Sequence, residues 1–520
     1  RRASLLRLGF DGVQERITTR NLDDLARAAG DLLVASEGAS GRAATGLSYD
    51  SRRTRRGDLF FCVVGARSDG HEFAADAVAA GAAGLVVERR LSLDVPQVIV
   101  RDARRTMARI AAEFHGHPAD DLLLLGITGT NGKTTTAYLL ESILSASGRV
   151  TGLIGTVETR VATASRPGVR TTPESVDLQA LLAEMRDEGV DAVAMEVTSH
   201  ALALHRIEGV RFDVAAFTNL SQDHLDFHRD MEDYFQAKRS LFVPGRVGAA
   251  CANVDDPHGR KLVEDAAVPT IGFGISDDAQ VRAQDVRMGP WGTEFVVSLS
   301  GDGVPAGEVK ISTALVGAFN VSNILAATAT AARASIDAGA IEAGVSALRA
   351  VPGRFEAMDC GQPFTVVIDY AHTPDSLENA LREARRIAQS SEGRVICAFG
   401  CGGDRDAAKR PLMGAVAARY ADVVVVTSDN PRSEKPLAII DQILEGLIAE
   451  RGGVPDAVLV DRREAITEAI SLARLGDVVV VAGKGHETGQ EFADVTVPFD
   501  DRIVAGDVLR ELGYSRGGRR

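Results

Sequence analysis

The sequence predicts a three-domain α/β protein. Short apolar runs alternate with stretches of helical pattern along the 520 residues, and this alternation is typical of layered α/β architecture. Several runs, such as AVAMEV at 192–197 and DVVVVAG at 477–483, are apolar almost throughout. Strands of a parallel sheet have this continuous pattern because they are buried on both faces. At roughly 100 to 200 residues per domain, a chain of this length is expected to form three domains, or two large ones.

Runs that predict strands occur in every part of the chain. The region 280–316 has the pattern of a meander of short strands inside the central domain. The other predicted strands are 59–65, 83–88, 122–128, 192–197, 214–219, 364–370, 394–400, 422–429 and 477–483.

Two interruptions mark the predicted domain boundaries. HGHPADD breaks a helical stretch before the run at Leu122, and AVPGRFE interrupts an Ala-rich helical stretch near 350. We therefore predict a small N-terminal α/β domain at 1–120, a central domain with a mostly parallel sheet flanked by helices at 121–350, and a Rossmann-like α/β domain at 351–520.

Composition excludes several classes of protein. A net charge of −14 argues against a nucleic-acid binder, which relies on basic surface to displace counterions. The five cysteines are irregularly spaced, which indicates reduced thiols and a cytoplasmic protein rather than a zinc site. Membrane insertion is not expected either, since no apolar run approaches the roughly 18 residues that span a bilayer.

The strongest motif is GITGTNGKTTTAYLLESIL at 126–144. An apolar strand leads into a glycine-containing turn and then into a helical pattern, which is the context of a phosphate-binding loop. Gly129 and Gly132 allow backbone N–H groups to approach an anion, Lys133 reaches the β- and γ-phosphates, and the Thr134 hydroxyl is a ligand for Mg²⁺. The strict pattern requires glycine at 127, where isoleucine stands, so the loop is a variant. Alone it predicts ATP or GTP binding and no particular reaction.

Further motifs follow this loop in order. Together they resemble the Mur ligase family of peptidoglycan synthesis, whose phosphate loop also occurs in folylpolyglutamate synthetases, and the resemblance extends from about residue 48 to residue 490. The motifs are TTP (171–173), MEVTSHAL (195–202), FTNLSQDHLDFH (217–228), YFQAKRSLF (234–242), GAFNVSNILAA (317–327), PGRFE (352–356), DYAHTPDSL (369–377), GGDRD (402–406), SDNPRSE (428–434) and AGKGHE (482–487).

The resemblance implies catalytic and metal-binding roles for five residues. Lys133 is the catalytic cation of the loop, and Thr134, Glu196 and His224 are implied ligands of magnesium. Lys238 lies in the helical stretch EDYFQAKRSLF, whose pattern alone predicts a surface lysine. It matches a lysine that reacts with CO₂ in this family. The resulting carbamate is an anion that helps to bind a second Mg²⁺.

The resemblance also implies binding residues for ATP and for a UDP-muramoyl dipeptide. The stretch 66–68 falls where the family contacts the UDP moiety, but its residues differ from the familiar ones. Asp369 and His372 resemble nucleotide-side groups. The implied ATP contacts are Gly129, Thr130, Asn131, Gly132, Lys133, Thr134, Thr135, Asn320, Asn323 and Arg354, and the implied contacts to the dipeptide substrate are Ser51, Thr171, Thr172, Thr198 and Arg206.

The C-terminal motifs predict the incoming amino acid. Arg432 follows a proline-stiffened turn and is able to bind a carboxylate with two hydrogen bonds. meso-Diaminopimelate has a second carboxylate that lysine lacks, so such an arginine favours diaminopimelate. Glu487 is suited to an ammonium group. The implied set is Arg405, Asp429, Asn430, Pro431, Arg432, Gly483 and Glu487.

The implied reaction is ATP-dependent addition of meso-diaminopimelate to the D-glutamate γ-carboxylate of UDP-N-acetylmuramoyl-L-alanyl-D-glutamate through an acyl phosphate. We expect a monomer whose partners are these small molecules. A lysine-adding Mur ligase and a folylpolyglutamate synthetase are the alternatives. A P-loop NTPase switch is more remote because the strand at 192–197 carries Glu196 where such a protein needs aspartate. A non-catalytic scaffold conflicts with the presence of Lys133, Thr134, Glu196 and Lys238.

Overall fold

The computed structural model describes residues 18–65, 68–289, 292–389 and 391–514. These residues form two compact units. One consists of the residues up to Asp121 together with Pro173–Arg186 and Leu204–Val210, and the other contains the rest of the chain.

The N-terminal elements are short. They are β1 (Arg20–Asn21), α1 (Leu22–Ala28), β2 (Leu33–Glu37), β3 (Ala43–Ala44), β4 (Gly46–Ser48), β5 (Asp58–Phe61), α2 (Ala74–Ala79), β6 (Gly84–Val87), β7 (Gln97–Val100) and α3 (Ala103–His115).

A mixed sheet in the order β2-β7-β6-β5-β4 organises the first unit. Strands β4 to β7 are parallel, and β2 pairs antiparallel with β7. Apolar side chains of α1 and α3, such as Leu25 and Met107, pack against the strand residues Phe61 and Val86. Helix α3 begins where the Asp102 side chain accepts a hydrogen bond from a first-turn N–H, so the chain leaves the sheet at a defined point.

The middle of the chain alternates strands and helices before it enters the meander. Its elements are β8 (Leu123–Thr128), α4 (Lys133–Ala146), β9 (Thr151–Ile154), β10 (Glu158–Val161), β11 (Ala164–Pro167), α5 (Ser175–Asp187), β12 (Ala192–Glu196), α6 (Ser199–Ala203), β13 (Phe212–Phe217), α7 (Met231–Arg239), β14 (Val247–Asn253), α8 (Pro257–Glu264), β15 (Thr270–Gly274), β16 (Val281–Gly289), β17 (Gly292–Leu299), β18 (Gly307–Thr313), α9 (Ala318–Arg333) and α10 (Ala338–Ala347).

The large sheet of the second unit has the order β11-β10-β9-β12-β8-β13-β14-β15-β16-β17-β18. The seven strands β9, β12, β8, β13, β14, β15 and β16, adjacent in this order, are parallel. Strands β10 and β11 at one side and β17 and β18 at the other pair antiparallel. Leu140 of α4, Ile324 of α9 and Ile341 of α10 are buried in one core with Leu125 of β8. Strand β8 lies between β12 and β13, so its carboxyl end lies beside theirs.

The C-terminal elements form a second α/β sheet. They are β19 (Glu356–Met358), β20 (Thr365–Asp369), α11 (Pro374–Gln389), β21 (Val395–Phe399), α12 (Lys409–Tyr420), β22 (Val423–Thr427), α13 (Pro436–Arg451), β23 (Ala457–Leu459), α14 (Arg462–Ser471), β24 (Val478–Ala482), β25 (Gly489–Phe492), β26 (Val495–Pro498) and α15 (Asp501–Glu511).

Strand β24 shows why its run is apolar throughout. The sheet order is β19-β20-β24-β21-β22-β23, and β24 pairs in parallel with both neighbours. Val478 and Val480 lie in one core, while Val479 and Val481 lie in the core on the opposite face. Both faces are therefore covered by helices, as the continuous pattern predicts.

The predicted fold class is confirmed: the protein is α/β with a mostly parallel central sheet. Each strand predicted from an apolar run is present, and 280–316 contains the antiparallel meander β16-β17-β18. The domain boundaries at 120 and 350 stay predictions. In the described part of the chain, no helix has both the length and the apolar character needed to cross a membrane.

Candidate active site

The phosphate-binding loop lies between β8 and α4, as predicted. Gly129 has φ 147° and Gly132 has φ 85°, which are conformations that favour glycine. A side chain at Gly129 would collide with the Thr218 hydroxyl, and one at Gly132 would collide with the Asn323 amide. Glycine is thus required at both positions for the loop to lie against its neighbours. The helix begins at Lys133, so its positive end faces the loop.

Lys133 folds back over this loop. Its Nζ donates to the carbonyl oxygens of Gly129 at 3.0 Å and Thr130 at 2.7 Å. Burial lowers the pKa of this lysine, and the carboxylates of Glu196 and Asp223 act in the opposite direction. An ammonium group with only carbonyl partners is available to a phosphate that enters the loop.

Glu196 ends β12 next to the phosphate loop and is 1% exposed. Its carboxylate accepts hydrogen bonds from the Thr134 hydroxyl at 3.0 Å and from the Thr156 backbone N–H at 2.8 Å. The Thr156 hydroxyl donates to it as well, at 3.1 Å. The structure therefore brings together two of the predicted magnesium ligands, a carboxylate and a hydroxyl.

Lys238 is buried in α7, whereas the sequence pattern alone suggested a surface position. It is 1% exposed, and its Nζ donates to the Gly129 carbonyl at 2.7 Å, the same oxygen that Lys133 contacts. The ammonium lies 4.5 Å from the centre of the Tyr234 ring. Burial and the nearby Lys133 hold the pKa of Lys238 well below its ordinary value. The neutral amine is accordingly favoured far more than in a surface lysine.

His224 lies in the loop that follows β13, in the left-handed conformation with φ 55°. Its ring packs edge-on against His200, with centroids 4.7 Å apart, and burial lowers its pKa. Within the ranges that the structure describes, no three or more His, Cys, Asp or Glu side chains form a group that could hold a metal ion. Among the predicted metal ligands, only Glu196 and His224 are residues of the His, Cys, Asp or Glu type. The metal site as a whole therefore stays a prediction.

The predicted ATP contacts outside the loop lie on α9 and after it. Asn323 faces Gly132 and donates to the Asn320 side chain at 3.1 Å. Arg354 Nη2 donates to the Thr134 hydroxyl at 3.1 Å. These three side chains are therefore beside the phosphate loop, as a nucleotide-binding role requires.

Arg354 also belongs to a half-buried group of C-terminal residues. Its guanidinium lies 4.6 Å from the centre of the Tyr370 ring. Asp369 accepts hydrogen bonds from two backbone N–H groups, and burial raises its pKa to about 6. His372 donates from Nδ1 to the Tyr370 carbonyl at 2.8 Å, and burial lowers the pKa of His372. The motifs PGRFE and DYAHTP are therefore close together, and the nucleotide-side role of Asp369 and His372 stays a prediction.

Asp375 is a contact that the sequence analysis missed. Its carboxylate accepts hydrogen bonds from the Asn131 side-chain amide at 2.7 Å and from the Ser221 hydroxyl at 2.9 Å. It thereby joins the phosphate loop and the loop after β13 to the start of α11. Asp375 stands inside the motif DYAHTPDSL, which is the only signal that pointed to it.

A cavity of about 870 Å³ lies in the second unit and is lined by predicted site residues from distant parts of the sequence. One side contains His200 and the loop at 221–226, which includes His224. The residues predicted to bind the amino acid line it as well, apart from Pro431; they are Arg405, Asp429, Asn430, Arg432, Gly483 and Glu487.

Arg432 has protein partners that the sequence analysis did not foresee. Its Nε donates to Glu491 at 2.7 Å, and its Nη1 donates to the Gly403 carbonyl at 2.8 Å. Part of the guanidinium is therefore held by Glu491, and the role of Arg432 in binding a substrate carboxylate stays a prediction. These two contacts fix the orientation in which the arginine faces the cavity.

Lys484 is a second residue that the sequence analysis missed, although it stands in AGKGHE. It is fully buried and donates to Asn430 Oδ1 at 2.8 Å and to Glu487 Oε2 at 2.9 Å. The Asn430 amide donates to the same Glu487 oxygen at 2.8 Å. Gly483 has φ 117°, and a side chain there would collide with the Asp429 carboxylate. The hydrogen bonds of Lys484 thus hold two of the predicted binding residues, Asn430 and Glu487, in place.

The residues predicted to bind the dipeptide substrate lie in both units. In the second unit, Thr172 donates to the Glu196 carbonyl at 2.9 Å, and the Thr198 backbone N–H donates to the Thr172 hydroxyl at 3.1 Å. Thr171 lies 3.0 Å, hydroxyl to hydroxyl, from Thr156. These threonines therefore surround the end of β12.

In the first unit, Ser51 begins a short 3₁₀ helix, and Arg206 pairs with Glu174 at 2.8 Å. Ala66 and Arg67 of the predicted UDP-contacting stretch lie outside the described residues.

Family models match almost the entire length over which these motifs occur. They describe a Mur ligase family catalytic domain at 43–115, a Mur ligase middle domain at 127–331 and a Mur ligase glutamate ligase domain at 353–485.

Individual relatives agree with the family models, because they are named as ligases of the same family. A protein of Geobacillus kaustophilus named UDP-N-acetylmuramoyl-L-alanyl-D-glutamate–2,6-diaminopimelate ligase is 48% identical over 90% of this chain and 95% of its own. The protein of the same name from Streptomyces avermitilis is 48% identical over 90% of this chain and 92% of its own.

Solved structures extend the comparison to the fold. A structure of UDP-N-acetylmuramoyl-L-alanyl-D-glutamate–2,6-diaminopimelate ligase matches with a TM-score of 0.67 and 30% identity, covering 94% of this chain and 99% of that one. A Mycobacterium tuberculosis folylpolyglutamate synthase complexed with ADP and AMPPCP has a TM-score of 0.59 at 19% identity, covers 78% of this chain and 95% of that one, and shares the fold. The three family models and the relatives that are 48% identical over most of the chain agree with the phosphate loop and its motifs: the chain belongs to the Mur ligase family.

Proposed function

We propose that this protein joins meso-2,6-diaminopimelate to the D-glutamate γ-carboxylate of UDP-N-acetylmuramoyl-L-alanyl-D-glutamate, with conversion of ATP to ADP and phosphate. The observation that carries this proposal is the 870 Å³ cavity, in which Arg405, Arg432 and Glu487 lie in the same space as the loop around His224. An amino acid bound there reaches the neighbourhood of the phosphate loop. Relatives that are 48% identical over most of the chain are named for the same reaction.

ATP is assigned to the loop at 129–135. Its phosphates would replace the carbonyl partners of Lys133 and lie at the start of α4, where backbone N–H groups and the helix dipole favour an anion. Asn320, Asn323 and Arg354 border the same loop and are assigned to the nucleotide.

The residues present fit a magnesium ion. Thr134 and Glu196 offer oxygen ligands 3.0 Å apart at the end of the loop, which is the donor chemistry that Mg²⁺ prefers. We assign these two side chains, with His224, to the metal sites. When bound, Mg²⁺ neutralises the developing charge on the transferred phosphoryl group.

We propose that Lys238 carries a carbamate. Only a neutral amine reacts with CO₂, and the buried amine of Lys238 has a pKa well below the ordinary value. A ¹³C NMR spectrum in ¹³C-bicarbonate would then contain a carbamate signal that is absent from Lys238→Met. Lys261, whose Nζ lies 5.4 Å from the Phe235 ring, supplies the control variant Lys261→Met, which should keep the signal. A spectrum without that signal in the unsubstituted protein would refute the carbamate.

The chemistry is positional and electrostatic. The γ-carboxylate oxygen attacks the γ-phosphorus, the bond to the β-phosphate oxygen breaks, and ADP leaves. The neutral amine of diaminopimelate then attacks the acyl carbon, the acyl–phosphate bond breaks, and the amine loses a proton as phosphate departs. Lys133 offsets the repulsion between carboxylate and triphosphate, while the residues that line the cavity hold the amine near the acyl carbon.

The dipeptide substrate is assigned to Thr171, Thr172, Thr198, Ser51 and Arg206. The threonines surround the end of β12, beside Glu196, where the γ-carboxylate must arrive. We further propose a cytoplasmic monomer; its five cysteines, all described as free thiols, suit a reducing compartment.

An ADP-release assay tests the proposal. The purified protein, ATP, Mg²⁺ and the UDP-muramoyl dipeptide are mixed with meso-diaminopimelate, L-lysine or L-glutamate in turn. ADP release that depends on diaminopimelate and yields the UDP-muramoyl tripeptide supports the assignment. Release that depends on lysine or glutamate instead favours one of the sibling enzymes, and release without any amino acid favours an NTPase.

A further inference from the structure

Two neighbouring loops carry the arginines assigned to diaminopimelate. The first arginine loop, 402–406, follows β21 and contains Arg405, and the second arginine loop, 430–434, follows β22 and contains Arg432. Apart from one β-bridge between Arg432 and Phe492, neither loop takes part in a helix or a strand, so no helix or continuous strand pairing fixes the separation of the two guanidinium groups.

Arg410, in the first turn of α12, lies buried behind both loops. Its side chain is 1% exposed. The two terminal nitrogens donate to the two oxygens of Glu434, at 2.9 and 2.8 Å, which is a bidentate ion pair. Nη2 also donates to the Gly402 carbonyl at 3.1 Å, and Nη1 donates to Gln442 at 2.8 Å. One guanidinium thus connects the first arginine loop, the second arginine loop and α13.

Glu434 continues the connection on its other side. The same oxygen that contacts Arg410 Nη2 accepts a hydrogen bond from the Asp404 backbone N–H at 2.6 Å. The Asp404 carboxylate in turn accepts from the Ser433 hydroxyl at 2.6 Å and from the Ser433 N–H at 3.1 Å. The loops are therefore tied together next to both substrate-facing arginines.

The backbone of both loops requires this support. Asp404 has φ 53° and Arg432 has φ 50°, which are strained conformations for residues with side chains. Gly403 approaches the Pro431 carbonyl so closely that a side chain at Gly403 would collide with it. Strained backbone of this kind persists where surrounding contacts determine it. The Arg410–Glu434 pair supplies part of those contacts, with the Arg410 side chain buried behind the loops.

We propose that the Arg410–Glu434 ion pair is a positioning and specificity-determining device that sets the separation of Arg405 and Arg432. A fixed separation selects an amino acid with carboxylates at both ends and disfavours one with a single carboxylate, because an arginine is then left without its partner. The inference rests on the proposed function and adds to it two residues that touch no substrate.

The test is Glu434→Gln, which keeps the size of the side chain but loses one acceptor oxygen. The matched control is Glu450→Gln: the Arg419–Glu450 pair joins α12 and α13, is also bidentate, at 3.0 and 2.8 Å, and its glutamate is likewise 33% exposed. Steady-state kinetics give the KM for diaminopimelate and for ATP, kcat, and the ratio of kcat/KM for diaminopimelate to that for lysine. Thermal unfolding is measured for each variant.

We expect Glu434→Gln to raise the KM for diaminopimelate about tenfold, the factor that corresponds to one lost hydrogen bond to a charged group. The selectivity ratio should fall by a similar factor, the KM for ATP should stay within about twofold, and Glu450→Gln should leave all these quantities unchanged. Arg410→Lys, which keeps the charge but not the bidentate geometry, should reproduce the increase in KM.

Two results would overturn the inference. One is an unchanged KM for diaminopimelate in Glu434→Gln; the other is a fall in kcat that tracks loss of folded protein while both KM values and the selectivity ratio stay constant. The unsubstituted protein is assayed first. If it does not use diaminopimelate, the proposed function fails; if it does and the variants show no selective effect, only the positioning role fails.

Discussion

The close approach of Gly132 to Asn323 predicts the cost of adding one methyl group to the phosphate loop. In Gly132→Ala, the new residue must adopt φ 85°, which costs roughly 1–2 kcal/mol for an L-residue. Its Cβ also displaces the Asn323 amide, which donates to Asn320 at 3.1 Å. Losing that bond in a buried site adds about 1 kcal/mol. The expected total is roughly 2–3 kcal/mol, and ATP should bind at least about tenfold more weakly because the loop N–H groups move.

A double-mutant cycle separates the two contributions. Asn323→Ala removes the group that the Gly132→Ala methyl would displace, so the double variant should be less destabilised than the sum of the single variants by about 1 kcal/mol. Urea unfolding followed by circular dichroism gives the free energies, and calorimetry with a non-hydrolysable ATP analogue gives the affinities. Additive free energies, or a Gly132→Ala protein that unfolds like the unsubstituted one, would refute the reasoning.

Three further predictions concern buried ionisable groups. Lys238→Met should lower kcat at least about a hundredfold in the ADP-release assay, since it removes a group beside the reacting phosphate; an unaltered kcat contradicts its assignment. Lys484→Met leaves Glu487 with the Asn430 amide alone, so the KM for diaminopimelate should rise about tenfold while that for ATP is retained; equal changes in both KM values count against a local role. Burial lowers the pKa of His486 to about 3, below the ordinary value of 6.5, so its contribution to stability is complete above pH 6.5 and is lost as the pH falls toward 3. His486→Phe should therefore lose less stability between pH 7 and pH 5, by at most about 2 kcal/mol, in urea unfolding; identical losses would show that this histidine does not titrate as described.

The elements that could be predicted from sequence are those with a local cause. Strands such as β12 and β24 are predicted because burial on both faces requires apolar residues in succession. The start of α4 is predicted because two glycines and a lysine precede a helical pattern. No comparable local rule exists for contacts between distant segments: Asn131 and Asp375 are 244 residues apart, and Lys484 and Asn430 are 54 residues apart.

Burial of charge was the other property that the sequence did not reveal. The pattern EDYFQAKRSLF is amphipathic enough to place Lys238 on a surface, yet α7 turns it toward the Gly129 carbonyl. The motif SDNPRSE does not reveal a protein partner for Arg432, yet Glu491, 59 residues further along, accepts a hydrogen bond from its Nε. In each case the partner is supplied by another element of the fold, so periodicity within one element contains no information about it.

The two lysines at the Gly129 carbonyl explain how an acidic protein binds a polyanion. Lys133 and Lys238 donate to the same oxygen, and burial lowers the pKa of both. The charge of Lys133 lowers the pKa of Lys238 further. Bound phosphates reverse this effect for Lys133, because an anion stabilises the ammonium form and raises its pKa. Nucleotide binding should therefore be accompanied by proton uptake at alkaline pH.

This uptake can be measured by titrating a non-hydrolysable ATP analogue at pH 8.5 in buffers that differ in ionisation enthalpy. The slope of the observed binding enthalpy against the buffer enthalpy is the number of protons taken up. Performing the titration in a Lys238→Met background isolates Lys133, and the additional change Lys133→Met should reduce the slope while Lys261→Met leaves it intact. A slope that is the same with and without Lys133 would mean that this lysine is already fully charged in the free protein, and burial would then not be what tunes the loop.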